Sequence, residues 1–453
     1  MNSEEFRSFA KAAVDYIADY LENIRNKEVL SSVEPGYLHQ HLPQEPPQEG
    51  EPWQSLLQDV DRIIVPGLTH WHSPHFHAYY PTANSHPGIV GELLLSGLAT
   101  ISTDWHPDNV CVALEQKVLD WLAKLLHLPS HFLNTSPGPG GGLIQNAASD
   151  STLIALLISK TKKTSETAPD AKLVAYTSEQ SNSSVEKAGL LASTTIRLLP
   201  TDEHGALRGT TLLRAIREDI ASGLTPCSVV ATLGTTGTCA FDDLEEIGPI
   251  CKDFGVWLHV DAAYAGAAFC CPEYLPLMKG VEFADSFCFN PHKWMLVNSD
   301  CSAMWFKDVT HAEKVFDRES SGTHFWQIPD VRRFRALKLW FVLRVYGVEG
   351  IRKHIRKQVD LAKYFEGLVR RDCRFEVCRV SLGLVCFRVK GDDRRTQDLI
   401  DRVTQRKKIF VMPYYFREKL VIRFVICSRF TEETDVLVAW EEIKSQVEHN
   451  LDG

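Results

Sequence analysis

Hydrophobic positions in the first two dozen residues fall at helical spacing: Phe6, Phe9, Ala13, Ile17, Leu21 and Ile24 in "MNSEEFRSFAKAAVDYIADYLENI". Acidic residues lead the stretch, so it predicts an amphipathic helix rather than a signal peptide, and residues 1–30 read as the first helix. A Pro/Gln/Glu-rich connector, "HLPQEPPQEGEPW" (41–53), follows before periodicity resumes in "SLLQDVDRIIVPGL". From about 85 to 350 the pattern alternates. Helical stretches such as "VALEQKVLDWLAKLL" separate short apolar runs: "KLVAYTS", "TIRLLP", "CSVVATLGTTG", "VWLHVDAAYAG" and "SFCFNPHK". That alternation predicts an α/β fold with a mostly parallel sheet covered on both faces. Beyond about 350 a long helical pattern, "GIRKHIRKQVDLAKYFEGLVRR", leads into the strand patterns "LGLVCFRVK" and "KLVIRFVICS" and a last helix at 431–447. The expected organisation is an N-terminal helical dimerisation segment (1–85), a large α/β domain (86–350) and a small α+β domain (351–453).

The 453 residues are 44% hydrophobic and 24% charged, the balance of an ordinary globular protein. A net charge of −9 with no basic block argues against nucleic acid or a membrane surface as partner, and no apolar run is long enough for a membrane span. Twelve cysteines without a CxxC pair read as reduced thiols of a cytosolic protein, not as a disulfide framework or zinc ribbon, and the adjacent Cys270 and Cys271 read as buried thiols.

Three features carry chemistry. "SPGPGGGLIQNAASD" (136–150) passes from glycines and prolines into a helical pattern, and a helix start offers free N–H groups to a phosphate. The competing reading is a glycine loop with Ser149 or Asp150 as a helix cap. "VWLHVDAAYAG" ends an apolar strand on Asp261, at the end of a strand where ligands bind in open α/β sheets. "SFCFNPHKW" sets Lys293 in a strand turn, either snorkelling over Trp294 or desolvated for Schiff-base chemistry. A phosphate cradle, a carboxylate and a buried amine are the three requirements of pyridoxal phosphate.

With "HVDAAYAG" followed by "NPHKW", the chain resembles the pyridoxal-phosphate-dependent group II amino-acid decarboxylases, most closely the aromatic-L-amino-acid (dopa) decarboxylase group. The resemblance extends through "VDYIADYLENI", "PHFHAYYPTANSHPGIVGELL", "ATLGTTGTCAFDDL", "RRFRALKLWFVLR" and "RFVICSR". It implies the fold-type I, aminotransferase-like architecture and a homodimer with active sites at the interface. Carried over by motif, Lys293 would hold the cofactor as a Schiff base and Asp261 would face its ring nitrogen. Ala148, Ser149 and Asn290 would bind its phosphate, with His292 close by. Thr236 would touch the ring substituents, Ala263 would pack on a ring face, and Tyr79, Tyr80 and Thr82 would line the substrate pocket. The histidines of "HWHSPHFH" (70–77) form two i, i+2 pairs on which a metal site is conceivable, but the family motif accounts for them without metal.

The chain departs from that family in three places. "ISTDWHPDNVCVALE" (101–115) puts Thr103, Asp104, His106 and Asp108 where the family carries apolar or small residues. The segment "KDVTHAEKVFDRESSGTHF" (307–325) is shorter than the family's mobile loop and lacks the tyrosine that, in the family, returns a proton to the substrate carbon. Asn182, in "SEQSNSSVEKAG", replaces the histidine that amine-forming decarboxylases stack on the cofactor, a change that resembles the aromatic acetaldehyde synthase branch. The resemblance therefore implies oxidative decarboxylation and deamination of an aromatic L-amino acid, dopa above all, to the arylacetaldehyde. Ordinary decarboxylation to the amine is the alternative, and an impaired paralogue that still binds cofactor is a third reading.

Overall fold

The computed structural model describes residues 1–102, 109–168, 170–316, 326–329 and 332–447. The departures at 103–108, and residues 317–325 of the shortened loop, lie outside the described residues. Two compact units result: Met1–Tyr79 with Leu361–Cys378 and Val385–Gly453, and Tyr80–Asp360 with Arg379–Leu384.

In the first unit the N-terminal residues fold together with the C-terminal ones rather than as a segment of their own. Backbone hydrogen bonds far apart in sequence are the reason: Val29 N to Lys407 O at 3.0 Å, His77 N to Phe410 O at 2.8 Å and Val425 N to His77 O at 3.0 Å. Strands Phe375–Ser381, Leu384–Val389, Met412–Phe416 and Lys419–Val425 make a four-stranded sheet, ordered first, second, fourth, third. Helix α1 (Ser3–Glu22) starts at a reciprocal cap, in which Asn2 accepts the Glu4 and Glu5 N–H groups and Glu5 accepts that of Asn2. It is shorter than the helix predicted over 1–30, because Ile24–Asn26 tightens into a 3₁₀ turn. Of its apolar stripe Leu21 is buried, while Phe6 and Ile17 are exposed.

The second unit opens with α2 (His86–Leu98), capped by Ser85, whose Oγ accepts the Gly88 N–H at 3.2 Å. Its centre is a seven-stranded sheet: β1 (Gly141–Gln145), β2 (Leu173–Ser178), β3 (Thr195–Leu199), β4 (Thr225–Thr232), β5 (Trp257–Asp261), β6 (Ser286–Phe289) and β7 (Ser302–Phe306). Their order is β1-β7-β6-β5-β4-β2-β3, and β7 alone runs antiparallel to its neighbours. Every apolar run singled out in this region is a strand, and each is nearly continuous in burial except β3 at the edge. α3 (Ala148–Glu166) lies over the sheet, where Ile154, Ala155 and Ile158 pack with Trp257, Cys288, Met304 and Phe306. α4 (Ser184–Leu191) adds Val185 and Ala188 to a second cluster with Ala175 and Val230. Ala336–Arg370 is two helices broken at Gly347, whose φ of 64° lies in the region that favours glycine, and the long helix predicted from about 350 is the second of them.

The glycines of 138–142 do not wrap an anion. They feed β1 into the sheet, and a Cβ on Gly142 would collide with the Trp305 indole, as one on Gly140 would with the His131 carbonyl. Nor does Ser149 or Asp150 cap α3: Ala147 holds that position, with no side chain bonded to the helix start. The 70–77 stretch is turns with a single bridge at Phe76, so its histidines do not share a strand face. His77 is buried against the Phe424 ring, 3.9 Å between centroids, and its Nδ1 lies 3.1 Å from the Val425 carbonyl. Among the described residues no three His, Cys, Asp or Glu side chains are placed to hold a metal ion. No helix among them is long and apolar enough to cross a membrane. The twelve cysteines are free thiols, with the Cys270 and Cys271 sulfurs 3.8 Å apart.

Candidate active site

Strands β1, β2, β4, β5 and β6 all point the same way, so their carboxyl ends meet along one edge of the sheet. The loops leaving those ends enclose a cavity of about 230 Å³ lined by Ala148, Ser149, Asn182, Asp261, Asn290 and Lys293, among others. Such an edge is where open α/β sheets bind ligands.

Each loop brings one part. β1 leads to the start of α3, where the uncapped N–H groups of Ala148 and Ser149 face an anion's natural place. β2 leads to Asn182, whose Oδ1 accepts the Ser184 N–H at 3.0 Å and so starts α4. Its Nδ2 donates to Thr236 Oγ1 at 2.9 Å, joining the loop after β4. β5 ends on Asp261, which is buried and accepts the Ala263 N–H at 2.9 Å. Burial pushes its carboxyl up, while the Lys293 charge and that N–H pull it down. β6 runs into the single helical turn α5 (Pro291–Trp294), which carries His292 and Lys293.

Lys293 is partly exposed, and the surface it retains faces the cavity. Desolvation lowers its pKa, and the Asp261 carboxylate partly opposes this. The amine is thus moved toward its neutral, nucleophilic form. Beside it, burial and then the Lys293 charge push His292 down to about 4, so it is neutral near pH 7. Trp294 does not shelter an exposed ammonium. Its ring is buried and stacked on Tyr264 (4.6 Å), which stacks on Tyr80 (3.7 Å), and its Nε1 donates to Gln358 Oε1 at 2.5 Å. This anchored stack walls the cavity and fixes the turn that aims Lys293 inward.

Of the residues singled out from sequence, Ala148, Ser149, Asn182, Thr236, Asp261, Ala263, Asn290, His292, Lys293 and Tyr80 line the cavity together. Thr82 is exposed and outside the lining. Tyr79 belongs to the first unit, where it stacks on Trp71 at 5.4 Å. Sequence reasoning missed Ala147, Ser184, Thr232, Gly234 and Tyr264 in the lining. Tyr264 was legible as the aromatic of "DAAYAG", three residues past the acid.

The donor set fits pyridoxal phosphate. An uncapped helix start suits a phosphate, a buried acid suits a ring nitrogen, and a desolvated lysine suits an aldehyde. Asn290 Oδ1 is buried with no hydrogen-bond partner in the protein, an acceptor that suits a donor on a bound group, while its Nδ2 is the end that would meet a phosphate. These features define the site of a pyridoxal-phosphate enzyme.

The chain belongs to the pyridoxal-dependent decarboxylase family, whose conserved domain matches residues 35–390. It is 51% identical to the 3,4-dihydroxyphenylacetaldehyde synthase of Drosophila melanogaster, over 99% of this chain and 92% of that protein. It is 50% identical to the aromatic-L-amino-acid decarboxylase of Manduca sexta, with the same coverage. The crystal structure of Rhodiola rosea 4-hydroxyphenylacetaldehyde synthase matches at a TM-score of 0.96 with 36% identity, covering 100% of this chain and 99% of that one. That of Catharanthus roseus tryptophan decarboxylase in complex with L-tryptophan matches at 0.95 with 36% identity, over 99% of each chain. The chain is accordingly a carboxy-lyase that uses pyridoxal phosphate, with the fold-type I architecture.

Proposed function

We propose that this enzyme converts an aromatic L-amino acid, dopa first among them, with dioxygen and water into the arylacetaldehyde, carbon dioxide, ammonia and hydrogen peroxide. The observation that carries the reading is Asn182, a cavity residue with both ends of its carboxamide engaged. When bound, pyridoxal phosphate supplies an electron sink for the bond that carbon dioxide leaves. Asp261 would keep a ring nitrogen protonated, the N–H groups at the start of α3 and the Asn290 Nδ2 would hold the phosphate, and Lys293 would hold the aldehyde carbon. Asn182 has no proton to give near neutral pH, so it would return none to the substrate carbon from that side and would leave that carbon open to dioxygen. Tyr80 and Tyr264, which line the cavity, present aromatic surface suited to an aromatic side chain, with Trp294 stacked behind Tyr264.

The relatives named for amine formation favour a second reading, ordinary decarboxylation, at similar identity. We further infer a homodimer in the cytosol. Exposed Phe6, Val14 and Ile17 on α1, and Val90, Leu93, Leu94 and Leu98 on α2, support burial of these faces against a second copy. Oxygen uptake measured beside carbon dioxide release with dopa tests the function. Uptake matching release supports the aldehyde reading. Release without uptake replaces it with the amine reading, and neither signal means a paralogue that has lost turnover.

A further inference from the structure

Behind Asp261, away from the cavity lining, lies a line of polar side chains in an otherwise apolar interior. Parallel pairing of β5 with β6 sets His259 opposite Ser286 and Asp261 opposite Cys288. Side chains alternate along a strand, so Trp257, His259 and Asp261 share one face of β5 while Leu258 and Val260 take the other. Ser286, Cys288, His259 and Trp257 are all buried.

Their atoms connect. Trp257 Nε1 donates to Ser286 Oγ at 2.9 Å, and Ser286 Oγ lies 2.8 Å from His259 Nδ1. His259 Nε2 lies 3.6 Å from Cys288 Sγ, and that sulfur donates to Asp261 Oδ1 across 4.0 Å. Burial pushes His259 down to about 3, so its ring is neutral and carries one N–H. Donor counting then sets the direction. An indole nitrogen only donates, so the Ser286 oxygen accepts from Trp257 and its own proton is free for His259 Nδ1. The imidazole proton then sits on Nε2 and points at Cys288 Sγ, leaving the thiol proton for Asp261. The opposite tautomer strands the Ser286 proton in a buried site and turns the thiol away from the carboxylate, which is the costlier arrangement. Ser151, from α3, adds a further polar contact to the same sulfur.

We propose that Trp257, Ser286, His259 and Cys288 form a one-way hydrogen-bond relay that ends on Asp261 and holds its carboxylate ionised toward the cofactor's ring nitrogen. The inference rests on the reading of Asp261 as that nitrogen's partner. His259 and Cys288 act as positioning residues: neither lines the cavity, and both act through the carboxylate. Donors aimed at a carboxylate favour its charged form, and without them the shared proton moves from the ring nitrogen toward Asp261.

The test uses holoenzyme reconstituted with pyridoxal phosphate labelled with nitrogen-15 in the ring, read by NMR, with cofactor affinity of the apoenzyme measured alongside. Wild type is expected to give a pyridinium signal, and Asp261→Asn an unprotonated one. Cys288→Ala and His259→Phe should each move the signal part of the way, and weaken cofactor binding by roughly three- to tenfold, below the effect of losing a full hydrogen bond to a charge. Ser286→Ala, a smaller change that leaves strand packing intact, should move it in the same direction and decides the matter if either larger change prevents folding. A wild-type signal in the relay variants beside a displaced one in Asp261→Asn overturns the relay and leaves Asp261 in its role. An unmoved signal in Asp261→Asn overturns both.

Discussion

Asn182 Nδ2 donates to Thr236 Oγ1 at 2.9 Å, so a residue after β2 holds one after β4 across the mouth of the cavity. Its Oδ1 meanwhile accepts the Ser184 N–H at 3.0 Å. Turning the amide over would set two donors face to face at Ser184, so the orientation is fixed. One side chain thus bonds the backbone at the start of α4 and lines the cavity as well.

Asn182→His should shift product from aldehyde toward amine, with peroxide formed per carbon dioxide falling several-fold. The shift should be incomplete, because the tyrosine missing from 307–325 is not restored. Peroxide and amine measured side by side in both proteins check this. Losing the bond to Thr236 should cost the fold about 1 kcal/mol.

Borohydride should fix pyridoxal phosphate on Lys293, identified by peptide mapping. Lys293→Ala should keep the fold and lose turnover. A label on another lysine would remove the assignment.

Glu115 and Arg332 form a buried ion pair, and Glu115 Oε1 also accepts the Ile144 N–H of β1 at 3.0 Å. Removing one partner leaves a buried charge unpaired, at a cost of about 3–5 kcal/mol. Glu115→Ala should therefore lower the denaturation midpoint markedly and weaken cofactor binding, because β1 delivers the start of α3. Urea unfolding followed by fluorescence, with an apoenzyme titration, reads both effects.

Stability should fall on acidification from about pH 6.5 to 4. Desolvation holds His72 and His292 down to about 4, and His77 and His259 to about 3. In that window the unfolded chain takes up protons that the folded one refuses, so acid favours unfolding. Asp242 works the other way. Burial raises it to about 7, so its contribution is lost as pH rises from the ordinary carboxylate range to that value. Burial also raises Asp261 and Asp285 and also lowers His70, His75 and His131, so among the described residues seven histidines stand against three carboxyls. Melting temperature against pH should show the decline, and His77→Phe should flatten it.

Much of this was legible because buried parallel strands announce themselves as unbroken apolar runs, and five of the seven strands fell on such runs. Asp261 and Lys293 were visible for a related reason: a charge at the end of an apolar run needs a partner or a task. The glycines of 138–142 misled because glycine serves close packing as readily as it serves anion binding, and only the neighbours Trp305 and His131 distinguish the two. The joining of residues 1–79 to the C-terminal part depends on pairings such as His77 with Phe410, which no local pattern encodes. The alternation Trp257, His259, Asp261 was present in "VWLHVD" but was masked by reading that run only for its apolar content.

The order β1-β7-β6 also governs when this enzyme can come into being. β7 is the strand between β1 and β6, and its pairing sets Gly141 against Phe306. Until Phe306 is in place, β1 has no neighbour in the sheet, and the start of α3 is held only by the packing of that helix on β5 and β6. Closing so long a loop is slow compared with forming local helices. A chain that stops short of β7 would expose two apolar strand edges, at β1 and β6, and a cofactor that binds the closed sheet more tightly would favour the chains that have completed it.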